Sequence, residues 1–212
     1  MKKLLFLICT LLSININAQV EKKFRVNLSA GYISAEKTDF GLNFTLEPKY
    51  NIKKNMNIGI RLESAAAFRY LLTNNKTISG VSYANGSFMG TFDYYFDKAN
   101  TNFVPFVGAG IGTCSFENKF VTDITDKKQA EPIELKSGAI FLIRSGFEWG
   151  KFRFGIDYNF LPSSNVLIRN NLVDLLAADP SDAGFKRGES FSNSYLAINV
   201  GFFLGGGKWG VK

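Results

Sequence analysis

The stretch AIFLIRSGFEWGKFRFGIDYNF, residues 139–160, decides the fold. Side chains of a β-strand leave alternate faces, so a period of two is the mark of a strand with one apolar and one polar side. Phe141, Ile143, Phe147 and Trp149 fall on one face, and so do Phe152, Phe154, Tyr158 and Phe160. Between the two runs, Gly150-Lys151 forms a two-residue turn with glycine first, a type that suits right-twisted strands. Counting outward from this turn sets Trp149 opposite Phe152, Phe147 opposite Phe154, Ile143 opposite Tyr158 and Phe141 opposite Phe160. The same register puts Glu148 opposite Arg153 and Arg144 opposite Asp157. Each such cross-strand charge pair contributes roughly 0.2–1 kcal/mol, and a slip of one residue destroys both.

The alternation extends in both directions. Phe24, Val26, Leu28, Ala30 and Tyr32 oppose Arg25, Asn27, Ser29 and Gly31, and Phe40, Leu42, Phe44 and Leu46 oppose Gly41, Asn43, Thr45 and Glu47. A third strand carries Ile58, Ile60 and Leu62 against Gly59, Arg61 and Glu63. A fourth ends at Tyr95-Phe96, and a fifth runs from Phe103 to about Phe116 with Gly108, Gly110 and Gly112 on one face, where they leave room. The last spans about Tyr195 to Leu204. Eight strands result, an even number of the kind membrane barrels use.

The connections alternate in length. About Lys53 to Asn57, Asp97 to Asn102 and Gly150-Lys151 are short, whereas Ser34 to Asp39, Leu71 to Gly80, Glu117 to Lys136 and Leu161 to Ser190 lengthen along the chain. Membrane barrels pair short periplasmic turns with longer extracellular loops. The fold expected is therefore all-β: an eight-stranded antiparallel transmembrane up-and-down barrel, with both chain ends on the periplasmic side.

A soluble lipocalin-like ligand-binder shows the same alternation with its apolar face inward. An eight-stranded interior is just wide enough for its own side chains, and Phe141, Phe147, Trp149, Phe152, Phe154, Tyr158 and Phe160 would overfill it. They are expected to face lipid. Arg25, Arg61, Glu63, Arg69, Asp93, Arg144, Glu148, Arg153 and Asp157 then fill the lumen as a charge network, because buried charges must pair.

The N-terminus reads as an export signal: Lys2-Lys3, an apolar run from Leu4 to Leu12, and Ala18 where a peptidase cuts. Residues 1–18 are expected to be removed, leaving a barrel domain over 19–212 that ends with its eighth strand and no anchoring domain. The leader takes Lys2 and Lys3 with it, and a net charge of +7 falls to +5. Cys114 is then the lone cysteine, so no internal disulfide is expected.

The 212 residues include no histidine. Imidazole activation of a serine is excluded, as is the usual His/Cys zinc site. No catalytic residue, cofactor or metal is expected, and paired carboxylates such as Glu63 and Asp93 read as ion-pair members. The segment Val107-Gly108-Ala109-Gly110-Ile111-Gly112 lacks the helix and acidic partner of a dinucleotide loop.

Four segments resemble a known family. Val104 to Gly112, Phe92-Asp93-Tyr94-Tyr95-Phe96, Gly155-Ile156-Asp157-Tyr158 and Val200 to Leu204 resemble the porin-family or OmpA/OmpX-like outer-membrane β-barrel domains of Gram-negative bacteria. The resemblance covers nearly all of the mature chain and implies an outer-membrane location. The chain departs from the family's terminal aromatic signal, since Gly210-Val211-Lys212 follows Trp209.

The partners expected are outer-membrane lipid and a partner outside the cell reached through the long loops, with no nucleic acid and a monomeric barrel. In the last loop, Ser163-Ser164 is expected to cap a short helix with Ile168, Leu172, Leu175 and Leu176 on one face before Pro180. Two roles follow from these expectations: a plugged structural or interaction barrel, or a narrow channel for small solutes aided by the lumen glycines.

Overall fold

The computed structural model describes residues 23–36, 40–72, 78–96, 102–121, 133–134, 137–166 and 190–205. Eight antiparallel strands close into a barrel: β1 (Phe24–Ala35), β2 (Phe40–Lys53), β3 (Met56–Leu72), β4 (Ile78–Tyr95), β5 (Phe103–Val121), β6 (Gly138–Trp149), β7 (Phe152–Phe160) and β8 (Tyr195–Gly205). Each strand pairs with its neighbours in sequence, and β1 pairs with β8 to shut the cylinder, Leu28 opposite Phe202 and Ala30 opposite Val200. Closure leaves no free sheet edge, the condition for spanning a membrane with strands.

The β6–β7 hairpin has the register counted from its turn, from Trp149 opposite Phe152 to Phe141 opposite Phe160. Gly150 sits at φ +61°, a left-handed conformation that costs other residues roughly 1–2 kcal/mol. The short connections keep the parity read from the sequence.

The first three long connections are shorter than their sequence suggests, and the last is not. β3 and β4 stay paired out to Leu72 opposite Ile78, and β5 continues to Val121 instead of ending near Phe116. Three short strands, 133–134, 164–166 and 190–191, form a separate antiparallel sheet between the connections that follow β5 and β7. The helix expected to start at Ser163-Ser164 is corrected at its first turn, because Ser164–Val166 is extended and paired to that sheet. Ile168, Leu172, Leu175 and Leu176 lie outside the described residues, as does the leader 1–18. The Ser192 amide donates to Glu36 Oε2 at 2.9 Å, tying the approach to β8 to the end of β1.

Polarity is inverted relative to a soluble barrel. Phe44, Phe88, Ile111, Phe141, Ile143 and Trp149 are each more than half exposed on the outer face. Among the described residues every charged side chain placed in the lumen is buried, none more than 6% exposed. The inward apolar face of a lipocalin-like ligand-binder is thereby excluded.

Candidate functional site: the charged lumen

The lumen is layered along the barrel axis. At the short-turn end, Tyr95, Val104 and Phe106 form a small apolar cluster. Next comes a band of ion pairs. Toward the long loops lies a larger apolar layer that includes Ile33, Met89, Ile140, Leu142, Leu161 and Tyr195. The interior is thus not charged from end to end, which corrects the expectation of a charge-filled lumen. Inward positions near the long loops alternate with outward ones that are also apolar, and the two faces there differ in direction but not in chemistry.

Arg144 on β6 lies at the centre of the band. Its Nε donates to Asp93 Oδ1 at 2.7 Å, and its two terminal nitrogens donate to Glu47 at 2.7 and 3.1 Å. Lys49 Nζ closes the group, 2.6 Å from Asp93 and 3.2 Å from Glu47, and the Thr91 hydroxyl donates to Glu47 at 2.6 Å. Bidentate arginine on a carboxylate is among the stronger hydrogen-bonded pairings.

A second group is organised by Tyr95. Its hydroxyl donates to Glu148 Oε1 at 2.7 Å and accepts from Asn57 and Arg153, each at 3.0 Å, and from Arg25. Arg25 and Arg153 both pair with Glu148 at 2.9 Å, and Arg153 also reaches Asp93 at 3.2 Å, which joins the two groups. The Arg153 guanidinium lies 3.6 Å from the centre of the Phe106 ring, a cation–π stack that holds it against the wall. In a third group Arg61 pairs with Glu63 and, at 2.8 Å, with Asp157, while Tyr195 donates to Glu63 and Asn199 donates to Asp157 at 2.9 Å.

Eight of the nine network residues named from sequence therefore meet in one band, and the side chain of Arg69 lies outside the described residues. The pairing differs at one point. Glu148 and Arg153 do pair across the hairpin, but Arg144 and Asp157, though register partners, each bind across the lumen instead. Inward side chains converge on the axis, so a long arginine meets carboxylates from the far wall as readily as its neighbour's. Glu47, Lys49, Tyr95 and Tyr195 were missed. Lys49 continues the inward phase of Asn43, Thr45 and Glu47 by one more step of two, and that phase was the available signal.

The glycines expected to leave room are filled over. A Cβ on Gly108 would collide with the Asp93 carboxylate and lie 3.0 Å from Arg144 Nε, and one on Gly112 would meet the β4 backbone at Phe88. They admit the network and the close approach of β4.

Of the seven outward aromatics named from sequence, Phe141, Trp149, Phe152, Tyr158 and Phe160 are exposed on the outer face. Phe147 and Phe154 also point outward but are half-buried, because Phe147 stacks between Phe103 at 4.6 Å and Phe154 at 4.9 Å. Rings gather at both ends of the wall, with Phe24 against Tyr50 near the short turns and Tyr32 against Phe40 near the long loops. Two such girdles bound the apolar band of a transmembrane barrel.

No family model and no curated protein matches the sequence. Among solved structures the chain is similar to the outer membrane protein OprG of Pseudomonas aeruginosa, with 12% identity and a TM-score of 0.51 over 89% of this chain and 99% of that one. It also aligns with Neisserial surface protein A, at 10% identity and a TM-score of 0.46, over 86% of this chain and 95% of that one. The likeness to OprG extends over the whole barrel, and at this identity it concerns the fold. Closed eight-stranded topology, girdled apolar outer wall and charged interior together give the chain the architecture of a transmembrane β-barrel, the fold it shares with OprG.

Proposed function

We propose that the protein is a plugged, non-catalytic barrel, processed after Ala18, with a structural or surface-interaction role at the cell envelope. One observation carries the reading: ion pairs cross the lumen in several directions, from Arg25 to Glu148, Glu47 to Arg144 and Arg61 to Asp157. A hydrated ion entering this band must displace charge-assisted bonds whose partners are otherwise buried and unpaired, at several kcal/mol each. The apolar layer near the long loops adds a second barrier. With the lumen shut, contact with the outside falls to the long-loop end, and the barrel wall needs no second copy to cover it in lipid.

A narrow path for small solutes is the second reading, and a separate observation favours it. Asn43 and Asn159 are buried in the wall, and neither amide atom of either residue has a partner among the described residues. Planar-bilayer recording of the purified protein separates the two. The plugged barrel gives no steady conductance step, whereas steady unitary conductance refutes it and favours the path.

A further inference from the structure

Charge is distributed along the barrel in a way that points to a partner. Among the described residues, which leave out the side chain of Arg69, the lumen band holds five cations (Arg25, Lys49, Arg61, Arg144 and Arg153) and five anions (Glu47, Glu63, Asp93, Glu148 and Asp157), so these charges balance. Acidic and basic residues of the long-loop connections nearly cancel as well. The positive charge of the mature chain therefore resides at the short-turn end. There Lys23 precedes β1, Lys53 ends β2 and Lys54 lies in the β2–β3 turn, and Lys151 lies in the β6–β7 turn.

The depth of these amines in the membrane selects their partner. Lys23 is followed by Phe24, 66% exposed on the outer wall, and Lys151 lies between Trp149 and Phe152, both exposed. Outward aromatic rings of this kind sit at head-group level. Amines one or two residues beyond them fall at phosphate depth, within reach of a flexible lysine stem, and Lys151 Nζ, which donates to the Gly205 carbonyl at 2.8 Å, keeps its charge at that level. The four described basic residues at this end, Lys23, Lys53, Lys54 and Lys151, are all lysines, whereas four of the five described in the lumen band are arginines. Point charges suit fluid head groups, and planar forks suit fixed carboxylates. We infer that the short-turn rim is a binding surface for anionic phospholipid in the leaflet that faces the periplasm, gathering lipids of net negative charge around the base of the barrel. This holds whether or not the lumen conducts.

Trp149 supplies the probe. A Trp209→Phe variant leaves it as the lone tryptophan. The barrel is reconstituted in mixed phosphatidylglycerol/phosphatidylcholine vesicles in which one or the other lipid is brominated. The ratio of the two quenching efficiencies reads the preference for the anionic lipid beside the rim. At low salt, phosphatidylglycerol should be enriched, by up to about fivefold for each amine in reach. The preference should fall to unity in 1 M salt and in a Lys23→Gln/Lys53→Gln/Lys54→Gln/Lys151→Gln variant, and should survive in the corresponding Lys→Arg variant. A ratio of unity for the unaltered rim, or a preference unchanged by the glutamines, overturns the proposal. Co-sedimentation with purified peptidoglycan alongside a ratio of unity also overturns it and assigns the lysines to the cell wall. Gel mobility before and after boiling, in pure phosphatidylcholine, establishes that each variant has folded. If the glutamine variant does not fold, the salt titration and the arginine variant decide.

Discussion

Replacing Arg144 by methionine tests the lumen network where its connections are densest. The substitution removes three hydrogen bonds, one to Asp93 and two to Glu47. Asp93 keeps Lys49 at 2.6 Å and Arg153 at 3.2 Å, while Glu47 keeps Thr91 at 2.6 Å and a 3.2 Å contact with the same Lys49. Two carboxylates buried to 0% exposure must then share one ammonium and part of a guanidinium already engaged by Glu148. Removing one partner of a buried ion pair costs about 3–5 kcal/mol. The remaining cations place Arg144→Met at the lower end, about 3 kcal/mol. Adding Glu47→Gln to Arg144→Met removes the stranded charge and should recover part of that loss, with a coupling of about 0.5–3 kcal/mol. Urea unfolding in phospholipid vesicles, followed by tryptophan fluorescence and by mobility of unboiled samples, measures both. A single-variant cost below about 1 kcal/mol, or a double variant whose losses simply add, would refute the network as a set of interdependent buried pairs.

Glycine positions give a graded test of packing. A Cβ on Gly146 would strike the Phe154 carbonyl and come within 3.0 Å of the Phe106 ring, so Gly146→Ala should cost about 1–3 kcal/mol. Gly86→Ala meets only Ser115 Oγ at 3.7 Å and should stay within about 0.5 kcal/mol in the same unfolding assay. Cys114 is buried and free, so a maleimide should label it only after denaturation, and rapid labelling of the folded barrel would contradict the closed wall. Amino-terminal sequencing of the exported protein should begin at Gln19.

The legibility of this fold follows from its geometry. Period two and a two-residue turn fix faces and register locally, which is why the β6–β7 pairing from Trp149/Phe152 to Phe141/Phe160 could be counted from sequence. Contacts across a lumen are not local. Arg144 bonds to Glu47, 97 residues away, in preference to its register partner Asp157, and no pattern along one strand encodes which far wall an arginine reaches. The apolar layer left a fainter trace. At Ala65-Ala66-Ala67, Ile140-Phe141-Leu142 and Leu196-Ala197-Ile198 the alternation lapses into continuous apolar sequence, marking where both wall faces are apolar. The short sheet at 133–134, 164–166 and 190–191 was illegible because its strands are too short to show a period.

The direction of the ion pairs bears on how the cylinder assembles. Arg25 on β1 is bound to Glu148 on β6, 123 residues later, and Arg61 on β3 to Asp157 on β7. Six of the nine ion pairs given for the described residues skip at least one intervening strand, so a growing hairpin meander cannot make these one at a time. Until the last strand returns to the first, the future interior is a row of charges only partly neutralised, by pairs within a strand or a hairpin such as Arg61–Glu63 and Arg153–Glu148, and the unfinished sheet carries a hydrophilic face that resists burial in lipid. The network thus acts as a latch that registers completion. Insertion and closure become a single event, and a barrel short of a strand is held back by its own charges.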